Sequence, residues 1–217
     1  LWHVMGVTQA AGLSLKWFRD NLAEKYKDEA SLKGVDSYDL INQDVAGVPI
    51  GSRRLIYLPY LMGERTPHLN PDCRGVFFGL SAIHTKADML RAVMEGVSYS
   101  LLDCLDVLRE MHVDVSEMMA CGGGGKSRIW RQMLADMYGC EVKTIKAQEG
   151  PALGVAILAG VGAGIFKDVP SACRQFIEQD TWCQPEAASH AYYEKGHALY
   201  RKLYQQLQGC YKDLAGL

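Results

Sequence analysis

The stretch Met118-Met119-Ala120-Cys121-Gly122-Gly123-Gly124-Gly125-Lys126-Ser127, continued by Arg128-Ile129-Trp130-Arg131-Gln132-Met133-Leu134-Ala135-Asp136, decides how the chain is read. It predicts a short apolar strand, a four-glycine turn and a helix. Ser127 is placed to cap that helix, its hydroxyl accepting from an N–H of the first turn. Glycines carry no Cβ, so a flat ligand can lie directly on the backbone. The positive end of the following helix favours an anion such as phosphate. A flexible turn with no ligand is the competing reading.

Two standard nucleotide motifs do not fit. A P-loop ending at Gly125-Lys126-Ser127 needs glycine at position 120, which is Ala120. A dinucleotide fingerprint starting at Gly122 needs glycine where Ser127 stands, and one starting at Gly123 needs it where Arg128 stands.

Working outward, Glu141 to Lys146 predicts a strand and Ala147 to Gly150 a loop. Pro151 then stands at a first helical position and opens a Gly/Ala-rich helix over 151–164. That run is too short to span a membrane and suits a buried, tightly packed helix. Upstream, Thr85 with Asp88 three residues on predicts a helix start. Leu90, Val93, Val97, Leu101, Leu105 and Leu108 recur at helical spacing to about Met111. Leu55 to Pro59 and Gly75 to Leu80 read as strands. Between them lies a loop with two prolines and the charges Glu64, Arg65 and His68; surface and chemistry are both open for it.

Nearer the start, Ala10 to Tyr26 predicts an amphipathic helix with Leu13, Trp17 or Phe18, and Leu22 on one face. Lys25 to Tyr38 reads as charged and exposed, and Tyr38 to Ala46 as a short helix. Toward the end, Val169 to Glu178 predicts a helix and Thr181 to Pro185 a loop. Ser189 to Leu207 predicts a last helix whose tyrosines form a packing face. Strand–helix–strand order argues an α/β fold.

The chain has 217 residues, enough for one large domain. Its net charge of −2 gives no electrostatic case for nucleic acid or an anionic membrane surface. Seven scattered cysteines without a C-x-x-C pair read as reduced thiols in a cytoplasmic protein, not as a zinc site. No membrane segment is legible, and the apolar start without an initiator Met suggests a fragment.

Gly75-Val76-Phe77-Phe78-Gly79-Leu80, seven further residues, Asp88-Met89 and then Ala92-Val93-Met94-Glu95 resemble the second signature of the FGGY carbohydrate kinases, members of the actin-like ATPase superfamily. Gly122 to Asp136 looks like that family's adenosine motif, and Gly150 to Ala156 like its following helix. Leu58 to His68 and Arg201 to Leu207 look most like its xylulokinase branch. The likeness runs from about Trp2 to Leu207.

The resemblance implies the C-terminal domain of a two-domain kinase, a three-layer α/β/α unit with an RNase H-like core. It implies ATP as phosphoryl donor with Mg2+, and a sugar, D-xylulose, as acceptor. Gly79 is expected near the nucleotide, Gly122, Gly123 and Gly124 along the adenosine, and Ser127 at the purine end. It also places the catalytic aspartate and the sugar-binding N-terminal domain outside this chain, so no catalytic residue is assigned. The domain's first hairpin is expected before Leu1, leaving a strand edge open to self-association. Another sugar of the family (gluconate, glycerol, ribulose or fuculose) and a non-catalytic nucleotide-binding module are the alternatives.

Overall fold

A computed structural model describes residues 3–146 and 150–217. Leu1, Trp2 and most of the expected 147–150 loop lie outside them. The elements run α1 (Ala11–Leu22), α2 (Lys25–Lys33), α3 (Ser37–Ala46), β1 (Ile56–Leu58), β2 (Val76–Phe78), α4 (Lys86–Glu110), β3 (Glu117–Met119), α5 (Gly122–Lys126), α6 (Arg128–Tyr138), β4 (Glu141–Ile145), α7 (Gly150–Gly162), α8 (Val169–Phe176), β5 (Gln179–Cys183) and α9 (Ala187–Ala215). The chain is α/β, as the strand–helix alternation predicts.

The strands fall into two sheets. β1 and β2 pair antiparallel, with Tyr57 opposite Phe77. β3 and β4 pair in parallel across the α6 crossover, with Met118 opposite Val142, and β5 adds antiparallel to β4. Among the described residues β3 pairs only with β4, so its other edge is open.

The long helix α4 is the spine. Its start is a full capping box: the Thr85 hydroxyl accepts from Asp88 N, and Asp88 accepts from Thr85 N. Leu90, Val93, Met94 and Val97 are buried in a core shared with Phe18, Ile41 and Tyr57. Gly96 lets α4 lie against β1, since a Cβ there would sit 2.1 Å from the Tyr57 carbonyl oxygen.

Glu95 ties three parts together. Its carboxylate, 3% exposed, accepts from Arg91 Nε at 2.8 Å, Gly51 N at 2.9 Å, Ser52 Oγ at 2.7 Å and Tyr193 OH at 2.9 Å. Ser52, Arg53 and Arg54 all have left-handed φ, at 47°, 52° and 72°. Such backbone costs free energy at non-glycine residues and persists where its surroundings hold it; here the Glu95 carboxylate does so.

Several expected elements differ. The first helix stops at Leu22, and the charged segment that follows is largely exposed as expected but forms a helix of its own, α2, with only Tyr26 and Ala30 buried. The buried face of α1 is Ser14, Leu15 and Phe18, while Leu13 and Leu22 are exposed. Ser14 is tolerated inside because its hydroxyl donates to Ala10 O at 2.6 Å. The expected Thr181–Pro185 loop is largely strand β5, formed by pairing to β4 although only Cys183 of it is buried. The last helix extends to Ala215. In α7, expected to be buried, only Ile157 and Gly160 are, and Val155 and Leu158 are exposed. Its principal neighbour among the described elements is α8, which covers too little of it.

Candidate functional site

The glycine stretch starts where β3 ends. Ala120 N donates to Lys143 O at 2.8 Å, which holds the entry to β4. The four glycines are not a loose turn: Gly122–Lys126 close a five-residue helix, α5. Glycine is a poor helix former, and tertiary contacts compensate. Arg131 Nη1 donates to Gly125 O at 2.6 Å and Lys126 O at 3.1 Å, so the next helix fastens the end of α5.

Ser127 caps α6 as expected. Its oxygen accepts from Trp130 N at 3.2 Å, and its hydroxyl donates to Asn42 Oδ1 at 2.8 Å. That second bond joins α6 to α3 across 85 positions of sequence.

The glycines differ in why they are glycine. Gly122 has φ +73°, which a side chain opposes. At Gly125 a Cβ would sit 2.9 Å from the Ala120 carbonyl oxygen, so packing requires it. At Gly124 a Cβ would make an ordinary 3.5 Å contact with the Trp130 ring, and at Gly123 it would meet no described atom within 4 Å. Neither backbone nor packing accounts for Gly123 and Gly124.

Both line a cleft of about 520 Å³. Ser127 and the Trp130 ring continue that wall, and Leu15 supplies apolar floor. Tyr38, Asp39 and Asn42 of α3 form the facing wall. The Trp130 indole N–H donates to Ser98 Oγ at 2.9 Å, which fixes the ring. Burial pushes the Tyr38 phenol above its ordinary range, partly offset by Arg19, whose guanidinium lies 4.6 Å from the ring centroid. The phenol therefore stays protonated at neutral pH. The cleft is the right size for a small organic ligand. An aromatic ring, bare backbone and a few polar groups suit a flat heteroaromatic one.

The structure brings Gly123, Gly124 and Ser127 together. Gly122 faces a neighbouring cavity of about 360 Å³, lined also by Arg131, Lys146 and Thr181. Gly79 lines neither. Its φ of +90° and the Arg54 carbonyl oxygen, 2.6 Å from where a Cβ would be, account for that glycine by backbone geometry. The α3 wall was missed because nothing near Asn42 in sequence links it to Ser127.

The 60–72 loop is tied down internally. Glu64, 4% exposed, accepts from Thr8 Oγ1, Gln9 N, Arg65 N and Ser100 Oγ at 2.9–3.1 Å. The His68 ring stacks on Tyr204, 3.5 Å between centroids. Glu64 and His68 thus anchor the loop to the first residues, α4 and α9. Among the described residues no group of three or more His, Cys, Asp or Glu side chains could hold a metal ion, and no helix is long and apolar enough to cross a membrane.

Comparison with known proteins extends these observations. The model of the FGGY family of carbohydrate kinases, C-terminal domain, matches residues 1–163. A xylulose kinase of Staphylococcus epidermidis is 39% identical over 98% of the chain, and a gluconokinase of Bacillus licheniformis is 34% identical over 99%. The crystal structure of ligand-bound xylulose kinase from Lactobacillus acidophilus superposes with a TM-score of 0.82, at 30% identity over 95% of this chain and 40% of that one. The chain spans 41% of the Staphylococcus epidermidis relative and 42% of the Bacillus licheniformis one. It has the actin-like α/β architecture of these kinases, and it belongs to the FGGY family of carbohydrate kinases, to whose C-terminal domain it corresponds.

Proposed function

We propose that this chain is the nucleotide-binding part of an ATP-dependent sugar kinase whose acceptor is D-xylulose. The observation that carries the nucleotide reading is the bare backbone at Gly123 and Gly124, which no contact among the described residues requires, opening on a cleft walled by Trp130 and α3. Adenosine fits this lining: its ring can lie on backbone and indole, with hydrogen-bonding groups on the opposite wall.

When bound, ATP supplies the phosphoryl group. This chain's residues contribute binding and orientation, which carry much of the rate of phosphoryl transfer. Arg131 holds α5 in place, and Ser127 holds α6 against α3. With no metal-binding cluster among the described residues, Mg2+ is proposed to arrive on the nucleotide's own phosphates. The acceptor hydroxyl and its base are proposed to lie in the sugar-binding domain. The open edge of β3 and the bare face of α7 are where further strands of this domain would pack.

Xylulose is preferred over gluconate because the Staphylococcus epidermidis xylulose kinase is 39% identical over 98% of the chain, whereas the Bacillus subtilis gluconokinase reaches 39% over 75% of it and the Bacillus licheniformis one 34% over 99%. Calorimetric titration of the purified protein with Mg-ADP tests the nucleotide reading: one saturable site is expected, and no binding by folded protein overturns it. Phosphorylation of a panel of xylulose, gluconate, glycerol, ribulose and fuculose by the full-length enzyme tests the acceptor. Turnover of another sugar in preference to xylulose overturns that part alone.

A further inference from the structure

Ser127 is expected at the purine end of the nucleotide, yet its hydroxyl is already committed. A serine has one proton to donate, and here it goes to Asn42 Oδ1 at 2.8 Å. The same oxygen accepts from Trp130 N at 3.2 Å, and the residue is only 8% exposed. A ligand that needs a proton from Ser127 would have to break the bridge to α3, which leaves the largely buried oxygen one open lone pair and no free donor.

Asn42 stands in the opposite condition. Its carboxamide carries one acceptor oxygen and two N–H donors. Ser127 occupies the oxygen and so fixes which way the amide is turned. The Nδ2 donors remain, on a half-buried side chain that lines the cleft opposite Gly123 and Gly124. Asp39, three positions earlier, shares that face of α3 and lines the same cleft.

We propose that Asn42 is the residue that reads the nucleobase, donating from Nδ2 to a hydrogen-bond acceptor on the base edge. Ser127 is a positioning residue that acts through it. The proposal rests on the reading of this cleft as the nucleotide site and names the group that recognises the ligand there. A donor held this way discriminates, because a base edge with no acceptor at that point leaves it desolvated and unpaired.

The test is calorimetric titration with Mg-ADP of the wild-type protein and of Asn42→Asp, Asn42→Ala, Ser127→Ala and the Asn42→Ala/Ser127→Ala double variant. Asn42→Asp keeps the acceptor for Ser127 and exchanges the donor for a carboxylate oxygen at the cost of an added negative charge, while Asn42→Ala removes the donor without adding charge; a loss shared by both, in folded protein, is the loss of the donor. Both Asn42 variants are expected to weaken ADP about 10-fold. Ser127→Ala is expected to weaken it about 3-fold alone and by less than about 2-fold in the Asn42→Ala background, because coupled residues are non-additive. Equal losses from Ser127→Ala in both backgrounds would show that Ser127 touches the ligand itself, and would overturn the proposal.

Repeating Asn42→Ala with 2′-deoxy-ADP and 3′-deoxy-ADP separates base from ribose. The loss should persist with both; its disappearance with either assigns Asn42 to a sugar hydroxyl and overturns the proposal. Unchanged ADP affinity in both Asn42 variants, with binding still lost in Gly123→Val, rejects Asn42 and leaves the cleft assignment standing. A folded wild-type protein that binds no ADP removes both.

Discussion

Gly122, Gly123 and Gly125 should respond differently to an added side chain, and their geometry sets the order. Gly123 lies inside α5 with no described atom within 4 Å of a built Cβ. Replacing glycine by valine in a helix gains about 0.4 kcal/mol of propensity, so Gly123→Val should leave folding unchanged or slightly improved. Gly125→Ala gains about 1 kcal/mol in the same way. It also drives a methyl to 2.9 Å from the Ala120 carbonyl oxygen, an overpacking worth about 1–3 kcal/mol, for a net loss near 1 kcal/mol. Gly122→Ala meets no described atom within 4 Å but must hold φ +73°, at about 1–2 kcal/mol. The assay is urea unfolding of each variant paired with Mg-ADP calorimetry. In this size of protein about 1 kcal/mol shifts the thermal midpoint by about 2–4 °C. Gly123→Val should fold like wild type and lose ADP binding by more than about 100-fold, its side chain standing where the ligand lies. A Gly123→Val protein destabilised by more than about 1 kcal/mol would mean the glycine is structural. A stable one with undiminished ADP affinity would mean the cleft holds something else.

Glu95→Gln should cost about 3 kcal/mol in urea unfolding, because it leaves Arg91, 6% exposed, without its carboxylate; a loss under about 1 kcal/mol would remove Glu95 as the clasp of the left-handed turn. Native-state alkylation at pH 8 followed by mass spectrometry should label the exposed Cys121 and Cys210 first. Burial pushes Cys73 up to about 12 and Cys104 up to about 11, so both should resist until the protein unfolds. Burial lowers the His68 pKa below 6.5 against a weaker opposing pull from Asp103. The native state then binds fewer protons than the unfolded one, so the stability from His68 is complete above about pH 6.5 and is lost as pH falls through the folded pKa. His68→Gln should flatten the unfolding profile below about pH 6.5, and an unchanged slope would assign it to other groups.

Where local chemistry dictates the element, the sequence is transparent. Thr85, Asp88 and the spacing of Leu90, Val93 and Val97 announce α4, and the capping box is present as read. Ser127 as the α6 cap was legible for the same reason. The misreadings share a cause, which is that distant partners decide. Ser14 of α1 is the exception: the Ala10 carbonyl one turn back satisfies its hydroxyl, so it can be buried against the apolar pattern. The glycines of α5 are held helical at their C-terminal end, where Arg131 takes the Gly125 and Lys126 carbonyls. β5 is a strand because β4 offers an edge. Half the cleft was legible as Gly123, Gly124 and Ser127. The other half, on α3, reaches the site only through tertiary packing, and a single sequence carries no mark of the Asn42–Ser127 bond.

The position of Trp130 gives the protein an optical reporter of its own. Its ring is a wall of the cleft, and its indole N–H is fixed on Ser98, so an occupant arriving over Gly124 changes the ring's surroundings while its orientation stays constant. Trp182, 64% exposed on β5, lies outside the cleft lining and emits as a tryptophan in water. Trp2 and Trp17 emit as well, so quenching seen in the wild type and absent from Trp130→Phe would report occupancy of the cleft in solution, without a label and at concentrations below those calorimetry requires.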